Sequence, residues 1–125
     1  AHYFPGAGGG NPVEAAMTAS VRKAGAAVDL FTPDGFTAAQ MFVHAIEADP
    51  SDVGRQITAL EGWSFSGAAG QYTVRAADHA LLQPEFQASL SGSGTTWTAK
   101  LVKTVQPDAI APPTPTKPAW PTSGS

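Results

Sequence analysis

The chain has 125 residues, enough for one domain or for a piece of a larger protein. Charged residues make up only 14%, which suggests that another polypeptide covers part of the surface. The formal net charge of −3 and the scattered basic residues argue against nucleic-acid binding. No apolar run approaches the ~20 residues of a membrane-spanning helix, and the absence of cysteine excludes disulfides and thiolate metal sites.

The first helix is predicted to begin with Asn11 as N-cap and Pro12 in the first helical position. Glu14 completes an arrangement like a capping box, and Gly25 ends the helix. Before it, residues 2–4 are strand-like, and the glycine-rich residues 6–10 are interpreted as a flexible connection. That loop lacks the Gly-Lys-Ser/Thr ending of a phosphate-binding loop.

The second helix is predicted over residues 37–48, with Asp34 and Gly35 just before it, where free backbone N–H groups can receive a ligand. Its apolar residues recur at helical spacing, so this face is expected to be buried. The members of this face are Ala38, Met41, Phe42, Ala45 and Ile46.

A third helix is predicted from a Ser51 N-cap to a stop at Gly62, with Val53, Ile57 and Leu60 as its apolar stripe. After this helix the spacing of the apolar residues changes from helical to the alternation typical of strands. Strands are predicted over residues 72–74, 86–90 and 97–101, with residues 91–95 as the loop of a hairpin.

The fold class predicted is α/β, with three helices followed by a few strands. The strands are too few to cover three striped helices. We therefore expect sheet from another polypeptide or from a preceding region, and the start without Met fits a processed or excised piece. From residue 109 a proline-rich tail is expected to be extended.

Several segments then match a known family in order. They are residues 3–5, Asn11-Pro12 opening a helix, 29–41, 59–65, 75–84, Lys103-Thr104 and 111–113. Together they resemble the C-terminal third of type I periplasmic substrate-binding proteins of branched-chain amino acid ABC transporters. The resemblance covers roughly residues 2–113.

The resemblance implies a two-lobed, non-catalytic protein without cofactor that lies outside the cytoplasm and closes on its ligand. Residues 1–10 would be a strand end and crossover, 11–68 part of the N-terminal lobe, 69–108 part of the C-terminal lobe, and 109–125 the tail. The implied partners are an amino acid or related carboxylate, an ABC permease, and the rest of the protein or a partner chain.

The best candidate cleft segment contains Phe31, Asp34, Gly35 and Phe36. The two rings can flank an apolar ligand part, and the carboxylate can accept from an ammonium group. Alternatively, Asp34 is a helix-start residue and Phe36 a core staple. Tyr3 is a further candidate at the hinge, with ordinary core as its alternative.

Two other clusters are interpreted as structural. His44, Glu47 and Asp49 invite a metal hypothesis, but no second His completes a ligand set, so a solvated helix face is favoured. Asp78 and His79 suggest a catalytic pair, but no serine nucleophile stands in a suitable motif.

The function predicted is therefore that of a solute-binding component of an ABC importer, or a fragment of one. The alternative is a ligand-sensing module of the same fold that signals to a partner protein. A hydrolase built on Asp78 and His79 is a third, disfavoured class.

Overall fold

The computed structural model describes residues 1–116, so Trp120 and the end of the proline-rich tail lie outside the described residues. Three helices precede five antiparallel strands, which confirms the predicted α/β class. The elements are α1 (Pro12–Lys23), α2 (Thr32–Ala48), α3 (Val53–Leu60), β1 (Ser64–Gly67), β2 (Gly70–Val74), β3 (Leu81–Leu82), β4 (Glu85–Ser93) and β5 (Thr96–Val105), followed by a 3₁₀ turn (Pro107–Ala109).

Helix α1 begins as the capping pattern predicts. The Asn11 side chain accepts hydrogen bonds from the backbone N–H groups of Val13 and Glu14, and Pro12 occupies the first helical position. Gly25 follows the C-cap with φ 75°, a left-handed conformation that glycine adopts without steric cost. Local capping chemistry therefore determines both ends of this helix.

Helix α2 begins five residues earlier than predicted, at Thr32. The Asp29 carboxylate accepts the N–H groups of Phe31 and Thr32, and Pro33 provides a helical φ in the first turn. The expectation that Asp34 and Gly35 precede the helix is therefore wrong, because both lie in its first turn.

The predicted buried face of α2 is correct for Ala45, with Met41 and Ile46 half-buried, and wrong for Ala38 and Phe42. Pro33, Thr37 and Ala45 are buried, whereas Ala38 is exposed and Phe42 is 67% exposed. Periodicity identifies an apolar stripe but cannot say which side of a helix meets a neighbour. Helix α2 packs mainly against α3, while Phe36 and Met41 pack against the core.

Helix α3 is capped by Asp52, whose carboxylate accepts the N–H of Arg55; the predicted cap, Ser51, instead donates to Asp49. Val53 and Ile57 of its apolar stripe are exposed. The helix ends before Gly62 as predicted, and that glycine has φ 75°.

The strands form two separate sheets. Strand β2 lies between β1 and β3, while β4 pairs with β5 in a two-stranded sheet. Strands β1 and β3 were not predicted, because strands of four and two residues are too short to show an alternating pattern of apolar and polar residues. The predicted five-residue hairpin loop is wrong, since Ser93 pairs with Thr96 and leaves only two residues in the turn.

Residues 2–4 do not form the expected strand, but Ala1 exchanges both backbone hydrogen bonds with Phe86 of β4, each at 2.8 Å. The core then joins the start of the chain to α1 and to the first sheet. Its largest fully buried side chains are Tyr3, Tyr72 and Met17.

Candidate functional site

The glycine-rich residues 6–10 form an ordered loop around Glu14, not a flexible connection. The buried Glu14 carboxylate accepts the N–H groups of Gly6, Gly8 and Gly10 at 3.0, 3.3 and 2.7 Å. Loops that converge several N–H groups bind anions. Here the chain supplies the anion itself, so Glu14 organises the loop instead of forming a capping box.

Tyr3, one of the predicted ligand-binding residues, lies in this buried cluster. Its hydroxyl donates to Glu14 Oε1 at 2.8 Å, and the side chain is almost fully buried. Burial, reinforced by the hydrogen bond to Glu14, raises the pKa of the Tyr3 hydroxyl well above its ordinary value. The hydroxyl is therefore a neutral donor that is already engaged within the protein.

Three other candidates meet at the surface, where α2 begins. Phe31 is 66% exposed, and its ring centroid lies 6.2 Å from that of His2. Asp34 is exposed, and its Oδ2 lies 3.4 Å from His2 Nε2 without a hydrogen bond between them. Gly35 stands beside Asp34 with open space where a Cβ atom would be. We call Phe31, Asp34 and Gly35, with His2, the α2 rim.

Phe36 does not belong to the α2 rim, because its half-buried side chain packs against the core. The place of His2 at the α2 rim was not predicted, because no motif or periodic pattern in the sequence indicates it. Its place at the rim follows from the extended course of the first residues, which start from the pairing of Ala1 with Phe86.

The predicted solvated face is wrong for His44, whereas Glu47 on the same helix is exposed. The His44 ring stacks on Trp63 at 3.9 Å, and its Nε2 lies 3.2 Å from the carbonyl oxygen of Ala59. Trp63 in turn stacks on Phe65 at 4.0 Å, so His44 ends an aromatic stack. Within residues 1–116, no three His, Cys, Asp or Glu side chains are placed to hold a metal ion.

The residues of the suspected catalytic pair have separate partners. Asp78 receives two hydrogen bonds from Arg75, at 2.8 and 2.5 Å, and these lower the pKa of its carboxyl. His79 Nε2 lies 2.8 Å from Glu61 Oε1, and the residue has a left-handed backbone with φ 59°. The contact between Arg75 and Asp78 lies within the loop between β2 and β3, and the contact between His79 and Glu61 joins that loop to the end of α3.

Several solved structures of other proteins have a fold similar to that of this chain. No protein-family model matches the chain, and no curated protein matches it significantly. Among solved structures it is similar to an ABC-type branched-chain amino acid transporter protein from Rhodopseudomonas palustris. The two share 25% identity with a TM-score of 0.71, over 88% of this chain and 30% of that one.

Two further structures give the same result. One is a solute-binding protein of an ABC transporter from Rhodopseudomonas palustris in complex with p-hydroxybenzoic acid. It is 19% identical to this chain with a TM-score of 0.69, and the match covers 78% of this chain and 28% of that one. The other is a leucine-, isoleucine-, valine-, threonine- and alanine-binding protein from Brucella ovis. It is 19% identical to this chain with a TM-score of 0.70, and the match covers 90% of this chain and 32% of that one.

The chain therefore has the fold of a part of a type I periplasmic binding protein. It spans about 30% of the length of each of these neighbours. Within the described residues, no helix is long and apolar enough to cross a membrane.

Proposed function

We propose that this chain is the C-terminal third of a solute-binding component of an ABC importer. The observation that carries the proposal is the fold match over 88% of the chain to a branched-chain amino acid transporter protein. The proposed ligand is a branched-chain or related amino acid, or a similar carboxylate. On this proposal the protein works outside the cytoplasm and delivers its ligand to a permease without catalysing a reaction.

The α2 rim is the proposed contribution of this chain to the cleft. The exposed Asp34 carboxylate can accept hydrogen bonds from a ligand ammonium group, and the exposed Phe31 ring can cover an apolar side chain. Gly35 leaves open space for a ligand to approach the backbone. Tyr3 and Phe36 support the rim from the core instead of touching the ligand.

Closure of two lobes around a ligand requires contacts that only the closed state makes. The α2 rim supplies one side of such contacts, and the remainder of the two-lobed protein supplies the other. The resemblance divides the chain after residue 68, but β1 pairs with β2 across that boundary and Phe65, Tyr72 and Phe86 share one core. Residues 11–86 are therefore proposed to lie in one lobe.

The test uses the full-length product of the gene that encodes this chain. Leucine, valine and p-hydroxybenzoate are titrated in turn by calorimetry, and the melting temperature is measured with each. We expect at least one to bind, and Asp34→Asn or Phe31→Ala to weaken its binding about tenfold, a change of about 1.4 kcal/mol. Asp108→Asn, an exposed carboxyl of the 3₁₀ turn, is the matched control and should bind as the wild type does.

Failure of all three solutes to bind would contradict the proposed function. If a solute binds but both rim variants keep wild-type affinity, the rim does not contact ligand, and the cleft must be sought elsewhere on the protein.

A further inference from the structure

The β4–β5 hairpin has one apolar face, and that face is open. Residues directly opposite each other in an antiparallel pair point to the same side of the sheet. Leu90 pairs with Ala99, Ala88 with Leu101, and Gly92 with Trp97. Leu90 is 68% exposed and Trp97 is 61% exposed.

The opposite face of the same hairpin is polar. It carries Ser89 opposite Lys100 and Ser91 opposite Thr98. A hairpin that alternates this strictly is built to bury one side against another layer. Within residues 1–116 no element packs on the apolar side of its outer half.

One edge of β4 is also open. In the part of the chain that the structure describes, β4 pairs with β5 and, at Phe86, with Ala1. Because Ala1 and Phe86 exchange both hydrogen bonds, the Ala1 segment lies antiparallel to β4. The register shift between Gln87 and Ala88 adds Val102 to β5 and no residue to β4. Backbone direction therefore alternates along β4, and the N–H groups of Ala88 and Leu90 point to the same edge as that of Phe86.

We propose that this edge and the apolar face form a docking surface for one antiparallel β-strand, supplied by the polypeptide that carries the rest of the two-lobed fold. This inference rests on the proposed function. The strand would continue the ladder begun at Ala1 past Ala88 and Leu90, and the layer attached to it would cover Leu90, Trp97 and Leu101.

A second copy of this chain fits the surface less well. Pairing two β4 edges would place both apolar faces on the same side of one sheet and leave them open. Packing the two faces together would bury only the outer half of a two-stranded hairpin on each copy. The solved neighbours, by contrast, contain about 70% of a chain that has no counterpart here.

Amide hydrogen exchange of the full-length gene product, followed residue by residue, tests the proposal. We expect the amides of Ala88 and Leu90 to exchange as slowly as that of Ser89, which points toward β5. Fast exchange of Ala88 and Leu90 beside a protected Ser89 would overturn the docking surface. So would a gene product that ends with these 125 residues and remains a monomer.

A pair of variants tests the apolar face separately. Leu90→Lys should lower the melting temperature of the full-length product by about 5 °C. Ser91→Lys, on the polar face opposite Thr98, should change it by less than about 1 °C. Equal effects would contradict the proposal. Slow exchange at the β4 edge without binding of any solute would support the docking surface and contradict the proposed function. Binding of a solute with fast exchange at the β4 edge would support the proposed function and contradict the docking surface.

Discussion

Glu14 is the residue on which the start of the chain depends. Its buried carboxylate accepts hydrogen bonds from the Tyr3 hydroxyl and from three glycine N–H groups. A buried charge is stable only when such partners surround it. The glycines are therefore needed for a backbone that can wrap closely around one carboxylate, rather than for a mobile connection.

Gly8 provides the sharpest test of this packing. A Cβ atom there would overlap the carbonyl oxygen of Ala68 and come within 2.9 Å of Asn11 Nδ2. We expect Gly8→Ala to destabilise the protein by about 1–3 kcal/mol, because the loop must move away from β1 and β2. Urea denaturation of the purified protein gives the free energy of unfolding.

Gly35→Ala is the matched control for that measurement. Gly35 lies in a helix, and no atom lies near the position of an added Cβ. This change should be neutral or stabilise the protein by up to about 1 kcal/mol. A Gly8→Ala protein as stable as Gly35→Ala would show that the glycine loop does not pack as described.

At the scale of elements, capping chemistry was predictable and burial was not. Asn11 and Pro12 specify the start of α1 through contacts within four residues. The same chemistry operates at the start of α2, where Asp29 accepts backbone N–H groups and Pro33 lies in the first turn. These two residues were not predicted as a helix start, because Asp34-Gly35 resembles a turn.

The exposed Phe42 illustrates the other limit. Its helical spacing correctly marks an apolar stripe, but burial depends on which element packs against that stripe. Similarly, the position of His2 beside Asp34 depends on a contact 32 residues apart in the chain. The candidate cleft segment therefore stays a prediction from its residues, whereas its histidine neighbour could not be predicted from the sequence.

The loop between β2 and β3 is held by the ion pair between Arg75 and Asp78. Hydrogen bonds from Arg75 lower the pKa of the Asp78 carboxyl in the folded state. The stabilisation is therefore present above the unfolded pKa, about 3.9, and is lost as the pH falls through the lower folded value.

Asp78→Asn should accordingly lower the melting temperature by about 2–4 °C at pH 7 and by less at pH 2, because the stabilisation declines as the pH falls below the unfolded pKa. Thermal unfolding followed by circular dichroism at both pH values measures this. Glu47→Gln, an exposed carboxyl on α2, is the control. A loss of equal size at both pH values would show that the charge of Asp78 does not stabilise the loop.

At the scale of the whole molecule, two groups of apolar side chains are exposed within residues 1–116. One is the outer face of the β4–β5 hairpin, and the other contains Phe42 of α2 with Val53 and Ile57 of α3. Exposed apolar side chains grouped in this way are typical of surfaces that contact another layer of protein.

Small-angle X-ray scattering of the full-length gene product tests most directly whether this chain is part of a two-lobed receptor. The account predicts an elongated, two-lobed particle about three times the mass of this chain, whose radius of gyration falls when a bound solute closes the lobes. A compact monomer of 125 residues, or a larger particle whose radius no bound solute changes, would contradict it.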